Sequence, residues 1–372
     1  MKFICTQENL HQGLLAASHI NTKNINLPIL NNVLLKVENN LLKLVSTNLE
    51  IAVVTKIRGK SDEEGSYTVP AKLLSDYVAL LPKENISISL EDDFLHVGCG
   101  NHKTKIKGIV PDDYPIIPEI NKKYSFYLSG DVLKKGLAQI SFSVLPNETR
   151  PEISGVYISF NKEDGMMTLV ATDSFRLAEK KIKLDLKSAK DNVSAILPLR
   201  TVWELANILS AVAGEEDLLE ISLDEGQIYF KYNGTELTSR LVEGVFPDYA
   251  QIIPKEHSTR GTLPVKEFLT GTRSASLFSR SGLNDVKINI TPGEGIEVYS
   301  TDNQTGEQRT KIGGEVLGVT NKIVLNHKYL VDGLGNVGTL EITLDVIDEN
   351  SPCVMRPVGD PSYLYIVMPI KQ

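Results

Sequence analysis

Apolar and polar positions alternate along much of this chain, and at intervals the alternation gives way to helical spacing. Residues 31–40, 41–48 and 51–59 read NNVLLKVENN, LLKLVSTN and IAVVTKIRG, with apolar side chains at nearly every second position and a polar turn at 38–40. A period of two predicts strands that turn one face to a core. Helical spacing precedes them at about 7–19 and follows them after Pro70. There Leu74, Tyr77, Val78 and Leu81 stand at i, i+3, i+4 and i+7, one face of a helix. Proline suits the first turn of such a helix, and Pro82 ends it. Further strands are predicted at 86–99 and 103–110.

The same order of elements returns twice. VPAKLL, LPLRTV and LNHKYL begin at 69, 197 and 325, two equal steps of 128 residues. STN at 46–48, ATD at 171–173 and STD at 300–302 keep nearly that period, and GIVPDDYPIIP at 108–118 recurs as GVFPDYAQIIP at 244–254. A repeat this long is the size of a domain and not of a solenoid unit. The second copy predicts helices near 130–142 and 199–212, with strands at 153–160, 166–171, 175–184, 218–232 and 236–243. The third copy follows the same order in more divergent form. The expectation is an α+β chain of three tandem domains, 1–120, 121–254 and 255–372, each with two helices on antiparallel sheets.

Carrying the second helix through the repeat sharpens this. Its apolar stripe becomes Val202, Leu205, Ala206 and Leu209, then Leu330, Gly333, Leu334 and Val337, a weaker face with one glycine. Opposite the stripe stand Lys72, Arg200 and Lys328, one cation per repeat on the outward face. The first helix adds Lys134 and Lys135 in the second repeat and Lys266 and Arg273 in the third. Asp76, Glu204 and Asp332 also recur, four residues beyond each cation, so a solvated face of i, i+4 ion pairs explains the same pattern.

Charge does not decide between these readings. The 39 Lys and Arg against 47 Asp and Glu give a net charge of −8, whereas nucleic-acid-binding domains tend to be basic. An acidic protein can still be positive on one surface. Hydrophobic content of 41% and charged content of 23% are those of an ordinary globular protein. The start MKFICTQENL lacks the pattern of a signal peptide, and the most apolar long window, 194–214, contains Arg200 and Glu204, so no membrane span is expected. Cys5, Cys99 and Cys353 have no zinc-ligand spacing and read as buried, reduced thiols of a cytoplasmic protein. Asn-x-Ser/Thr matches such as Asn147 and Asn233 carry little weight without a secretion signal.

No enzyme constellation is present: the chain has no phosphate-binding loop, GxGxxG, GxSxG or HExxH, and its six histidines do not follow the repeat. Asn48, Asp173 and Asp302 recur at strand ends, where Asx residues close turns by local hydrogen bonds. That is a simpler origin than a catalytic or metal site, so no cofactor and no metal are expected. Two other classes stay open, a tandem-domain scaffold that binds only proteins and an enzyme of unrecognised chemistry. The first needs no cation repeated on a helix face, and the second needs a polar cluster confined to one repeat.

Three tandem domains, ATDSFRLA at 171–178, FPDY at 246–249 and the terminal YIVMPIKQ at 365–372 together resemble the bacterial DNA polymerase III beta subunits, the replicative sliding clamps. The resemblance spans the whole chain. It implies a non-catalytic processivity subunit: three copies of a DNA-clamp domain, closing as a head-to-tail homodimeric ring on double-stranded DNA without sequence specificity. Lys72, Lys134, Lys135, Arg200, Arg273 and Lys328 would face the DNA. It also implies a peptide-binding pocket for the polymerase III alpha subunit, clamp-loader subunits and other clamp-binding proteins. By motif, the walls of that pocket would be Ile153, Thr172, Ser174, Arg176, Leu177, Pro247, Ile252, Asn326, Tyr329, Ile366, Val367, Met368 and Pro369. Ser174–Phe175 stands where such clamps often carry a glycine and a histidine or tyrosine. The ring seam would set Tyr77, Leu81, Lys103 and Ile106 against Leu277, Phe278 and acids near Glu307.

Overall fold

The structure, a computed structural model, describes residues 1–20, 27–117, 121–145, 149–212, 217–280 and 282–371. Asn147 and Gln372 lie outside the described residues. Six α-helices occur among those described: α1 Gln7–Ala17, α2 Ala71–Ala79, α3 Gly130–Ser141, α4 Leu199–Ala211, α5 Val265–Ser276 and α6 His327–Asn336. They fall two to a repeat. None is long and apolar enough to cross a membrane.

Local chemistry sets where the helices begin. Thr6 caps α1 by accepting from the Asn9 amide at 3.3 Å, and Asn326 caps α6 by accepting from the Lys328 amide at 2.9 Å. Helices α2 and α5 start directly after Pro70 and Pro264, whose fixed φ leads into a first turn. The expected stripe of α2 is buried at Leu74 and Val78 and half-buried at Tyr77. Leu81 follows it into the core.

Every strand pairing is antiparallel among the described residues, and the chain separates into two compact units. Unit 1 holds Met1–Lys134, Leu184–Asp191 and Arg200–Val242. Its five-stranded sheet runs Lys60–Glu63, Lys2–Thr6, Asn85–Glu91, Phe94–Cys99, His102–Lys107. Its eight-stranded sheet begins with Tyr124–Ser129, Leu218–Asp224, Gln227–Tyr232 and Thr235–Arg240. It continues with Ile51–Arg58, Leu41–Thr47, Asn32–Glu38 and Gly65–Pro70. The join is Thr235–Arg240 on Ile51–Arg58, with Leu237 opposite Val53.

Unit 2 holds Lys135–Lys183, Asn192–Leu199 and Glu243–Gln372. Its nine-stranded sheet joins Arg176–Lys183 to the last strand, Tyr363–Val367, with Ala178 opposite Tyr365. Its four-stranded sheet has edges at Gly306–Ile312 and Asn321–Asn326. The compact unit is therefore not the sequence repeat. The middle repeat gives one sheet to each unit, and the division passes through α3.

Several strands lie outside the sequence expectation. Lys60–Glu63 is four polar residues and shows no alternation. It forms because its backbone pairs with Lys2–Thr6 at a sheet edge. Gly65–Pro70, Tyr124–Ser129 and Val193–Pro198 are short strands that each run directly into a helix.

Candidate functional site

One turn is built three times. Asn48 Oδ1 accepts from the Glu50 and Ile51 amides at 3.0 and 2.7 Å, and Asp173 Oδ1 accepts from Phe175 and Arg176, both at 2.9 Å. Asp302 Oδ1 accepts from Gln304 and Thr305 at 2.7 and 3.2 Å. In the first two copies the preceding Thr47 and Thr172 hydroxyls donate to the Ile51 and Arg176 carbonyls. These are Asx turns, the structural reading of the recurring residues. Among the described residues no group of three His, Cys, Asp or Glu is placed to hold a metal.

The second copy carries more than a turn. Arg176, with a side chain only 11% exposed, ion-pairs through Nε with Asp173 at 2.9 Å and through Nη1 with Asp332 on α6 at 2.5 Å. Its guanidinium lies 4.6 Å from the Tyr329 ring centroid and 5.5 Å from that of Phe142. Burial opposes the charge, but Tyr365, Asp332 and Asp173 outweigh burial and raise its pKa. Arg176 is a fixed cation that ties the turn to α6 and to the aromatic layer below.

Above this network is a cavity of about 170 Å³, wholly within unit 2. Nine of the thirteen residues expected to line a pocket do so: Ile153, Thr172, Ser174, Arg176 and Leu177, with Pro247, Ile252, Ile366 and Met368. The other four stand nearby in different roles. Tyr329 lies under Arg176, Asn326 caps α6, Val367 is buried in the sheet opposite Arg176, and Pro369 follows the last strand half-exposed. Met368 is held where its amide donates to the Phe175 carbonyl at 2.8 Å.

Arg150, Asp248 and Tyr249 line the cavity without having been anticipated. Asp248 and Tyr249 belong to the FPDY motif itself, which was the available signal. Arg150 Nη1 donates to the Ser174 hydroxyl at 2.9 Å. The lining is mainly apolar, and its volume falls below the roughly 300–1,000 Å³ of small-molecule sites. It suits side chains of a peptide.

The repeated cations have three different environments. Lys72 is exposed and ion-paired with Asp76 at 2.7 Å, which is the i, i+4 reading. Arg200 is only half-exposed and its Nη2 donates to the Ile20 carbonyl at 2.6 Å, so it does not project freely as the outward face predicted. Its partner by sequence, Glu204, is buried, and burial pushes that carboxyl up. Lys328 is exposed, its Asp332 taken by Arg176. Lys135 and Arg273 are exposed and Lys134 is half-buried.

Of the seam residues, Lys103 and Leu277 are exposed and Tyr77 and Phe278 are half-buried. Leu81 and Ile106, at 6% and 5% exposure, are core residues of their own unit. Both complete the interior under a sheet and are not surface contacts. The exposed leucine beside them is Leu80.

Family models described as the DNA polymerase III beta subunit N-terminal, central and C-terminal domains match residues 1–118, 127–248 and 250–371. A beta sliding clamp of Staphylococcus aureus is 30% identical, over 87% of this chain and 85% of its own. This chain belongs to the beta sliding clamp family.

A beta sliding clamp of Synechococcus elongatus is 28% identical over 100% of this chain and 99% of its own. The crystal structure of a DNA polymerase III beta subunit from Thermotoga maritima superposes with a TM-score of 0.93, at 26% identity over 100% and 99% of the two chains. As a sliding clamp the chain is a non-catalytic subunit of the replicative polymerase. The absence of a catalytic constellation from its sequence accords with that role.

Proposed function

We propose that two copies of this clamp close head to tail around duplex DNA and hold the replicative polymerase on it through the cavity of unit 2. The observation that carries this reading is the cavity itself. Its walls come from stretches near 153, 172–177, 247–252 and 366–368, and a chain with three polymerase beta-subunit domains has no other evident use for an apolar slot there. The proposed domain limits are 1–120, 121–254 and 255–372, and the proposed compartment is the cytoplasm.

Lys72, Lys134, Lys135, Arg200, Arg273 and Lys328 are proposed to meet phosphates, which supply attraction without sequence information. The Lys72–Asp76 ion pair and the carbonyl-bound Arg200 hold this attraction low, which favours sliding over gripping. Partners of the cavity would be the polymerase alpha subunit, clamp-loader subunits and other proteins with a short linear motif of the QLSLF type. Loading would depend on a separate ATPase, since this chain has no nucleotide-binding loop.

The test is retention on nicked circular DNA. Loaded clamp should stay on the circle and leave once the circle is cut, whereas release at equal rates from both would refute topological linkage. For the cavity, Met368→Ala should weaken a QLSLF-type pentapeptide by about tenfold, or ~1.4 kcal/mol, in fluorescence polarisation. Unchanged affinity would remove the cavity from the proposal.

A further inference from the structure

The nine-stranded sheet of unit 2 carries a row of cross-strand partners that runs out of the cavity described above. Thr172, Leu177 and Ile366, all in the cavity wall, stand opposite one another in turn. The row goes on from Ile366 through Val354 and Asp345 to Arg260, on the same face. It ends in a second hollow, of about 140 Å³, whose walls include Val354, Asp345, Arg260, Pro352, Arg356 and residues 254–257. The two hollows share a rim. Met368 belongs to the first and Pro352 to the second, each one step beyond the Cys353–Val367 pair, and both are half-exposed.

The second hollow is charged. Asp345 is buried, and a buried carboxylate has to be paired. Arg260 meets that need alone, its Nε and Nη2 donating to the two oxygens at 2.6 and 2.8 Å. Arg356 adds a third bond through Nη1 at 2.7 Å, and its fork makes no other hydrogen bond or ion pair among the described residues. The lining thus sets Lys255, Arg260 and Arg356 against Glu256 and Asp345, one cation in excess, with His257 beside them. Acids of the neighbouring turn have other partners. Asp348 accepts from the Asn350 and Ser351 amides, both at 2.8 Å, and Glu349 is paired with Lys322 at 2.9 Å.

The fold does not need this charge. The matching row of unit 1 runs Thr47, Ala52, Thr238, Tyr229, Ser222, Ser125. Where unit 2 has Asp345 and Arg260, unit 1 has Ser222 and Ser125, hydrogen-bonded to each other at 3.0 Å. A neutral pair is enough to close the sheet at this place. The surplus cation of unit 2 stands beside a cavity shaped for peptide side chains, and that placement points to the same ligand.

We propose that the partner segment held in the cavity carries an aspartate or glutamate three or four residues from its apolar anchor, and that Arg356 with Arg260 receives that carboxylate. This rests on the cavity being the partner-binding site. Neighbouring strands are about 4.8 Å apart, so Asp345 and Arg260 lie roughly 10 and 14 Å from Ile366. An extended chain covers about 3.3 Å per residue and reaches them in three or four. A lysine or arginine at that position of the segment meets the surplus cation and is selected against.

The test uses the full chain and fluorescein-labelled peptides in fluorescence polarisation: QLSLF, DDQLSLF and QLSLFGDD, the last two each beside a copy with Asn for Asp. The acids precede the motif in one and follow it in the other, which covers both directions of the segment. One acid form should bind about fivefold more tightly than its Asn copy, and the gain should shrink as salt rises. Arg356→Gln, which leaves the Arg260–Asp345 pair in place, should remove the gain and leave QLSLF itself unchanged. Equal affinity of both acid forms and their Asn copies, or a preference for acid that survives Arg356→Gln, overturns this proposal alone. No binding of QLSLF overturns the cavity reading and this one together. Oligothymidylate that displaces the acid form but not QLSLF would assign the cluster to phosphate and overturn the proposal as well.

Discussion

At the scale of single residues, the recurring turn stores strain that can be released. Leu49 and Ser174 occupy matching positions in the first two copies at φ +77° and +76°, the left-handed region that penalises a Cβ by about 1–2 kcal/mol. Leu49 is exposed, so Leu49→Gly should stabilise unit 1 by about 0.5–1 kcal/mol after glycine's extra chain entropy is set against the relief. Ser174→Gly should gain less, since it also loses the acceptor for Arg150. Urea midpoints of the two variants would check both signs. The Asx residue of this turn was legible in sequence because its hydrogen bonds are local. The strain at the next residue was not, because serine and leucine do not announce a positive φ.

A second residue-scale prediction concerns acid. Burial pushes the Asp285 carboxyl up, but the guanidinium of Arg280 at 2.7 Å and the Ser279 hydroxyl bring it below its ordinary value of 3.8. A carboxyl lowered in the folded state adds stability that is present above 3.8 and is lost as pH falls through the lower folded value. Arg280→Ala should therefore lower stability at neutral pH and flatten the loss of stability below about pH 4. An unchanged acid limb in the variant would show that other carboxylates control it.

At the scale of elements, helix α6 shows why its apolar stripe is weak. Gly333 is where the stripe breaks, and a Cβ there would lie 2.2 Å from the Tyr365 ring. That ring is buried and pinned, its hydroxyl donating to the Tyr329 carbonyl at 2.9 Å. It also meets Phe142 at 5.4 Å, in the layer under Arg176. The glycine is the price of packing a helix against a rigid tyrosine. Gly333→Ala should destabilise unit 2 by about 1–3 kcal/mol despite alanine's better helix propensity, and should weaken pentapeptide binding by displacing what supports Arg176. A neutral or stabilised variant, measured by thermal unfolding, would mean the ring yields easily. Alternation exposed strands such as Asn32–Glu38 and Leu41–Thr47 in the sequence because one face is buried. It could not expose Lys60–Glu63, whose place comes only from backbone pairing. Nor could it show that Ile366, Val354, Asp345 and Arg260 stand abreast, since register joins residues far apart in sequence.

At the scale of the whole molecule, the 128-residue period gave three copies but not their grouping, because strand-to-strand joins between repeats leave no periodic mark. What remains is how two chains would meet. Each unit ends a sheet on an open edge, His102–Lys107 in unit 1 and Gly306–Ile312 in unit 2. Unpaired edges invite pairing with another chain. The first carries Lys103, Lys105 and Lys107, the second Glu307 beside Arg309 and Lys311, so charge alone does not match the two edges. Leu80, after α2, is 82% exposed, and Leu277, after the α5 helix that packs on the four-stranded sheet, is 76% exposed. A head-to-tail ring of two needs two different patches on each chain, and these two edges, each with an exposed leucine near it, are the proposed pair. Leu277→Asp should raise the dimer dissociation constant by about 10–100-fold, or ~1.4–2.8 kcal/mol, so that sedimentation at micromolar concentration shifts toward the 41.0 kDa chain. Leu80→Asp should do the same from the other side of the seam. Ile106→Asp would only unfold unit 1, since Ile106 is interior. A dimer that survives both leucine substitutions would place the seam elsewhere, and an unaltered chain that sediments at 41.0 kDa would rule out a stable ring.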